Sequence, residues 1–130
     1  MDDEVLLDRA RDAMGDAHVP YSTFRVGAAL LTDDGTTVTG CNLEVSNYSN
    51  SLHAEELAVA DAVRDGHTAF DRLAVASNRD APVTPCGMCR QTLAEFCDGD
   101  LRVLCEHADG YETYTLAELL PATFSADAMA

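Results

Sequence analysis

The chain contains no lysine. All eight of its basic residues are arginine, set against 23 aspartates and glutamates, for a formal net charge of −15 over 130 residues. A field this negative repels phosphate backbones and anionic membranes, so neither nucleic acid nor a membrane is expected as a partner. Tryptophan is absent as well, and aromatic residues make up only 6% of the chain. No apolar run approaches the roughly 20 residues needed to cross a bilayer. The opening residues, Met1-Asp2-Asp3-Glu4, are acidic where a secretion signal would be basic. A soluble, cytoplasmic protein is the expectation.

Cysteine is sparse and odd in number: Cys41, Cys86, Cys89, Cys97 and Cys105. An odd count without a secretion signal argues against a disulfide framework. The acidic residues are scattered along the chain and form no tail. Such a surface resembles that of proteins from salt-accumulating microbes, where high ionic strength screens self-repulsion. An ordinary acidic surface is the plainer alternative. Apolar residues amount to 47%, enough to build a core, and the length suits one domain over residues 1–130.

Helical spacing of Val5, Leu6, Ala10, Ala13, Met14 and Ala17 predicts a helix over 4–17, ended by Pro20. Residues 26–32 read as a buried strand, Asp33-Asp34-Gly35 as a turn and 36–41 as its hairpin partner. The polar stretch 42–52 is long enough for a functional loop. A second helix is predicted over 53–64, closed by Gly66. A strand at 73–77, a loop with two prolines at 78–85 and a third helix at 86–97 follow. Strands at 101–105 and 111–115 and one helical turn at 116–120 complete the chain. This α-β-β-α-β-α-β-β-α order predicts a mixed sheet with helices on its faces.

Two short motifs carry the chemistry. His53-Ala54-Glu55 opens one predicted helix, and Pro85-Cys86-Gly87-Met88-Cys89 opens another. Zinc prefers tetrahedral nitrogen and sulfur ligands, and three protein ligands leave a fourth position for water. Cys86 and Cys89 lie three residues apart, so one helical turn aims both sulfurs the same way. Their place at a helix N-terminus favours thiolates. Glu55 points away from His53 and is free to move protons rather than bind metal. Either half alone is ambiguous: a Cys-x-x-Cys also suits redox or structural sites. A closed structural zinc site needs a fourth ligand, and Cys97, Cys105, His18, His67 and His107 all lack paired spacing. Together, His-x-Glu and Pro-Cys-x-x-Cys form the signature of zinc-dependent deaminases.

The chain resembles the small homotetrameric cytidine deaminases along nearly its whole length. The resemblance is carried by Tyr21 through Leu30, by Gly40-Cys41-Asn42-Leu43-Glu44, by the two metal motifs extended through Arg90-Gln91, and by Glu118-Leu119-Leu120-Pro121 followed by Phe124. It implies a three-layer α/β/α fold with a mixed five-stranded sheet. It implies one zinc ion per subunit on His53, Cys86 and Cys89, with Glu55 as the catalytic proton carrier. The implied substrate is a free nucleoside, cytidine or 2′-deoxycytidine, deaminated to uridine or 2′-deoxyuridine in pyrimidine salvage. Phe24 would stack near the base, Asn42 and Glu44 would bond the ribose 3′-hydroxyl, and backbone groups at Ala54 and near Cys86 would read the pyrimidine. Tyr48 and Phe124 would come from a neighbouring subunit.

The departures from the family pattern are coherent. Many short members carry Cys at the position of His53 and Arg at the position of Glu56. Three thiolates leave zinc with a net negative charge that an arginine offsets; one imidazole and two thiolates do not. Glu56 is therefore expected to face solvent. Val45 and Ser46 replace the family's usual residues near the subunit contact. The competing readings are a related deaminase acting on guanine, blasticidin or RNA adenosine, and a zinc module without catalysis.

Overall fold

Strand β1 (Val26–Thr32) is buried along its whole length, and its alternation divides the core in two. Val26, Ala28 and Leu30 point to one face of the sheet, and Ala29 and Leu31 to the other. Strands β3 (Phe70–Ser77) and β4 (Arg102–His107) repeat the pattern. Leu73, Val75, Val103 and Cys105 join the first face, and Ala74, Ala76 and Leu104 the second. Both faces are covered, so the middles of these central strands, Leu73–Ala76 and Val103–Cys105, are apolar and buried on both sides.

Helix α1 (Asp3–Ala13) covers the second face with Leu6, Leu7 and Ala10. Helix α2 (Ala54–Arg64) covers the first with Ala54, Ala58, Val59 and Ala62, joined there by Leu93 of helix α3 (Gly87–Phe96). The computed structural model, which describes all 130 residues, is therefore a three-layer α/β/α sandwich around one mixed sheet. Strand β2 (Thr37–Cys41) and strand β5 (Gly110–Thr115) form its edges, in the order β2-β1-β3-β4-β5. Only β3 and β4 are parallel. A four-residue helix α4 (Leu116–Leu119) follows β5.

The strand directions place the site. Both β2 and β3 run antiparallel to β1, so they run the same way on either side of it. Helix α2 follows β2 and α3 follows β3. Both helices therefore begin at the same end of the strands, where β1 starts. The two helix starts thus converge across an intervening antiparallel strand.

Most element boundaries fall within two residues of the sequence reading; three larger differences have a physical cause. The first helix stops at Ala13 and passes into a 3₁₀ turn over Met14–Asp16, well before Pro20, because Gly15 does not support further helix. β3 begins three residues early, at Phe70, where Arg72 is held by Asp3 of α1 at 2.6 Å. Arg102 and the Tyr111 hydroxyl bond the same carboxylate, at 2.8 and 3.3 Å, and so pin the start of α1 across three strands. Finally, the 42–52 loop contains a 3₁₀ turn over Tyr48–Asn50, capped by the Asn47 side chain.

Gly40 sets how closely α2 can approach. A Cβ there would lie 2.2 Å from the Ala54 carbonyl oxygen and 2.7 Å from the Ala58 nitrogen. Gly40→Ala would lift the start of α2 off the sheet. The expected result is a loss of about 1–3 kcal/mol in denaturant unfolding, whereas Gly15→Ala, which meets nothing, does not destabilise.

Candidate active site

His53 is the N-cap of α2 and Cys86 the N-cap of α3, both in extended backbone conformation. Cys89 lies one turn into α3. The His53 Nδ1 atom is 3.2 Å from Cys89 Sγ and 3.3 Å from Cys86 Sγ. One ligand atom from each residue falls within 4.8 Å of the others. Cys89 is buried, His53 half-buried and Cys86 exposed, so the cluster opens to solvent on one side only. One imidazole and two sulfurs converging from two helix starts fit zinc in both number and softness, with a position left over.

Glu55 is the second buried element of the site. It is 6% exposed, and it and Thr32 are the only polar residues buried in the core. Burial pushes its carboxyl above the ordinary carboxylate range, opposed by the neighbouring His53 and Cys89. It is thus suited to hold a proton beside the sulfur cluster. Burial and the Glu55 and Cys86 charges likewise push the Cys89 thiol up. A bound cation would reverse this and hold Cys89 as the thiolate.

Glu56 does not face solvent as expected. It folds back so that Oε1 accepts the His53 backbone N–H at 3.0 Å and lies 3.9 Å from His53 Nδ1. It caps the helix that presents the ligand.

Phe24, Asn42, His53, Ala54, Glu55 and Cys86 line one cavity of about 300 Å³, within the range of small-molecule sites. Glu44 and Tyr48 line an adjoining cleft of about 280 Å³, which shares Asn42 and His53. Phe124 lines neither; it is 58% exposed, and its carbonyl accepts a hydrogen bond from Gln91 Nε2 at 2.9 Å. Tyr48 is 59% exposed and meets Tyr21 edge-on, with ring centroids 5.6 Å apart.

Several of these side chains also hold the chain itself. Asn42 Oδ1 accepts from the Val26 N–H at 2.9 Å, and Nδ2 donates to the Phe24 carbonyl at 2.8 Å. Glu44 accepts from the Ser22 hydroxyl and from the Tyr21 and Ser22 N–H groups, and the Ser22 hydroxyl holds its carboxyl below the ordinary range. Arg90, quoted in the motif but given no role, donates to the Pro85 and Leu119 carbonyls at 2.6 and 2.7 Å, fixing the loop that carries Cys86. Asn78 and Arg79, beside Phe24, were passed over altogether; a polar residue after a strand carries no signal of its own.

A soft-donor triad, a buried carboxyl and a small cavity are compatible with a metal-assisted hydrolytic site. The family model described as the cytidine and deoxycytidylate deaminase zinc-binding region matches residues 1–105. The chain is 48% identical over 126 residues to the cytidine deaminase of Sporosarcina psychrophila, covering 96% of this chain and 93% of that one. It is 40% identical over 130 residues to that of Halalkalibacterium halodurans, covering 99% and 98%. Among solved structures, the cytidine deaminase of Burkholderia pseudomallei superposes with a TM-score of 0.91 at 35% identity, over 95% of this chain and all of that one. The Mycobacterium tuberculosis enzyme gives 0.85 at 38% identity, over 96% and 98%. The chain belongs to the cytidine deaminase family of hydrolytic enzymes.

Cys41, Cys97 and Cys105 lie outside the ligand cluster. Metal analysis of Cys89→Ala should therefore show zinc falling from about one per chain toward none, while Cys41→Ala keeps it. Equal zinc in both variants would remove the cluster from consideration as the metal site.

Proposed function

We propose that this chain hydrolyses the amino group from free cytidine and 2′-deoxycytidine, giving uridine and 2′-deoxyuridine and releasing ammonia, as a step of pyrimidine salvage. The observation that carries the reading is the buried Glu55 carboxyl beside the His53, Cys86 and Cys89 donors on the wall of a nucleoside-sized cavity.

His53, Cys86 and Cys89 would hold one zinc ion per subunit, which when bound supplies an activated water. Glu55 takes the proton of the attacking water and delivers it to ring N3. The water oxygen adds to C4 as N3 gains that proton; Glu55 then takes the remaining proton from the new C4 hydroxyl and passes it to the amine nitrogen as the C4–N bond breaks and the C4 carbonyl forms, so one carboxylate serves as base and then acid. Phe24 packs against the base, and the Ala54 backbone reads the pyrimidine edge. Asn42 and Glu44 turn their remaining lone pairs to the ribose hydroxyl. Asn42 is already held rigid by β1, which supports its use as a fixed acceptor rather than a mobile one.

The reading places the enzyme in the cytoplasm as a homotetramer of one-domain chains of residues 1–130. Tyr48 and Phe124 then complete a neighbour's site; their exposure here supports that role. So does an apolar cleft of about 680 Å³ along α2 and α3, with Leu52, Val63 and Phe96 exposed along it. No helix is long and apolar enough to cross a membrane, and the −15 charge favours a neutral nucleoside over a polynucleotide. We read the lysine-free acidic surface as an adaptation to high salt.

Glu55→Gln keeps the shape and removes the proton carrier. Turnover of cytidine should fall by about 10²–10⁴-fold with zinc content and melting temperature unchanged. A variant that works at close to the wild-type rate would eliminate the proton role. Separately, the melting temperature should climb from low to molar salt as screening relieves self-repulsion; a flat profile would refute the salt adaptation and leave the reaction untouched.

A further inference from the structure

The segment that carries Phe24 is not a strand, yet almost none of its backbone is free. Asn78, just past the end of β3, accepts the Arg25 N–H on Oδ1 at 3.0 Å and donates from Nδ2 to the Thr23 carbonyl at 2.9 Å. Its own N–H donates to the Arg25 carbonyl at 3.2 Å. Asn42, just past the end of β2, does the same one residue along: it takes the Val26 N–H and gives to the Phe24 and Val26 carbonyls. The Phe24 N–H goes to the Ser22 hydroxyl at 3.0 Å. From the Thr23 carbonyl to the Val26 carbonyl, every backbone polar group is thus held: the Phe24 N–H by Ser22, and all the others by Asn78 and Asn42, which follow the two flanking strands. Thr23 sits at φ 59°, a left-handed conformation a β-branched residue avoids unless its surroundings impose it. The Phe24 ring itself has a polar neighbour as well: the Arg79 guanidinium lies 5.7 Å from its centroid, and that arginine reaches back to the Ser22 carbonyl.

We infer that Asn78 is a positioning residue for the reaction: with Asn42 it clamps residues 23–26 and so fixes the face that Phe24 presents to the pyrimidine. Asn78 is absent from the lining of the catalytic cavity and acts through Phe24 alone. The inference rests on the nucleoside reading above. Its effect belongs to binding rather than chemistry, because Phe24 meets the base equally in substrate and transition state, and uniform binding alters KM and not kcat.

The test compares wild type, Asn78→Ala, Asn78→Asp, Phe24→Ala and the double variant Phe24→Ala/Asn78→Ala, all with zinc loaded and folding checked by circular dichroism. Cytidine kinetics and the inhibition constant of the product uridine are measured for each. Asn78→Ala should raise KM and the uridine constant together by about three- to tenfold, the scale of one net hydrogen bond, with kcat within about twofold. Asn78→Asp retains the acceptor for the Arg25 N–H but loses the donor to the Thr23 carbonyl, so it should raise both constants less than alanine does yet still measurably, and it carries the test if the alanine variant does not fold. In the Phe24→Ala background, adding Asn78→Ala should change neither constant. Active wild type with an unchanged KM in Asn78→Ala, or a full effect that persists without Phe24, overturns the positioning role alone. Wild type inert toward cytidine overturns it together with the nucleoside reading.

Discussion

The molecule depends on one arrangement: two helix starts meeting over one end of a buried strand. His53 opens α2 and Cys86 opens α3, and neither helix could deliver three soft donors alone. Their meeting follows from β2 and β3 running the same way on either side of β1. The distance between the helices is set by small residues beneath them. Gly40 lets the α2 backbone touch the sheet, and Ala54, Ala58 and Ala62 form its buried stripe. The same closeness buries Glu55, which raises its proton affinity beside the donors that need a proton carrier. Packing, ligand geometry and acid–base character at this site are therefore one constraint.

Charge is distributed to protect that constraint. In a chain of net charge −15, Arg11, Arg64, Arg72 and Arg102 pair with carboxylates away from the site. Arg25, Arg79 and Arg90 bond backbone carbonyls instead, and all three lie against segments that shape the cavity. A guanidinium can satisfy several carbonyls at once in a fixed plane, so arginine holds these loops without a carboxylate partner. A substrate without charge then meets a cavity whose only buried ionisable carboxyl is Glu55.

Much of this was legible beforehand because it is local. The alternation of Val26 through Thr32, the Asp34-Gly35 turn and the helix-opening motifs each occupy a short window, and the mixed five-stranded sheet and the ligand triad followed from them. What escaped was long-range. Nothing in the neighbourhood of Asn78 shows that it will bond residues some fifty positions away, and Asp3 gives no sign of pinning Arg72 and Arg102. Glu56 was misread by analogy: with no arginine required there, solvent seemed its natural place, but the free N–H at the helix start claims it. The strand before α3 reads as starting at Leu73, where its apolar run begins, whereas Arg72 is half-buried and pairs within the sheet.

The most direct test of the central claim is to follow the ultraviolet absorbance of cytidine mixed with purified protein in molar salt, with and without a zinc chelator. Loss of cytidine absorbance that the chelator abolishes and added zinc restores is the predicted result. Cytidine left intact by folded, zinc-loaded protein would contradict it, and would leave a metal site in search of a different amine-bearing substrate.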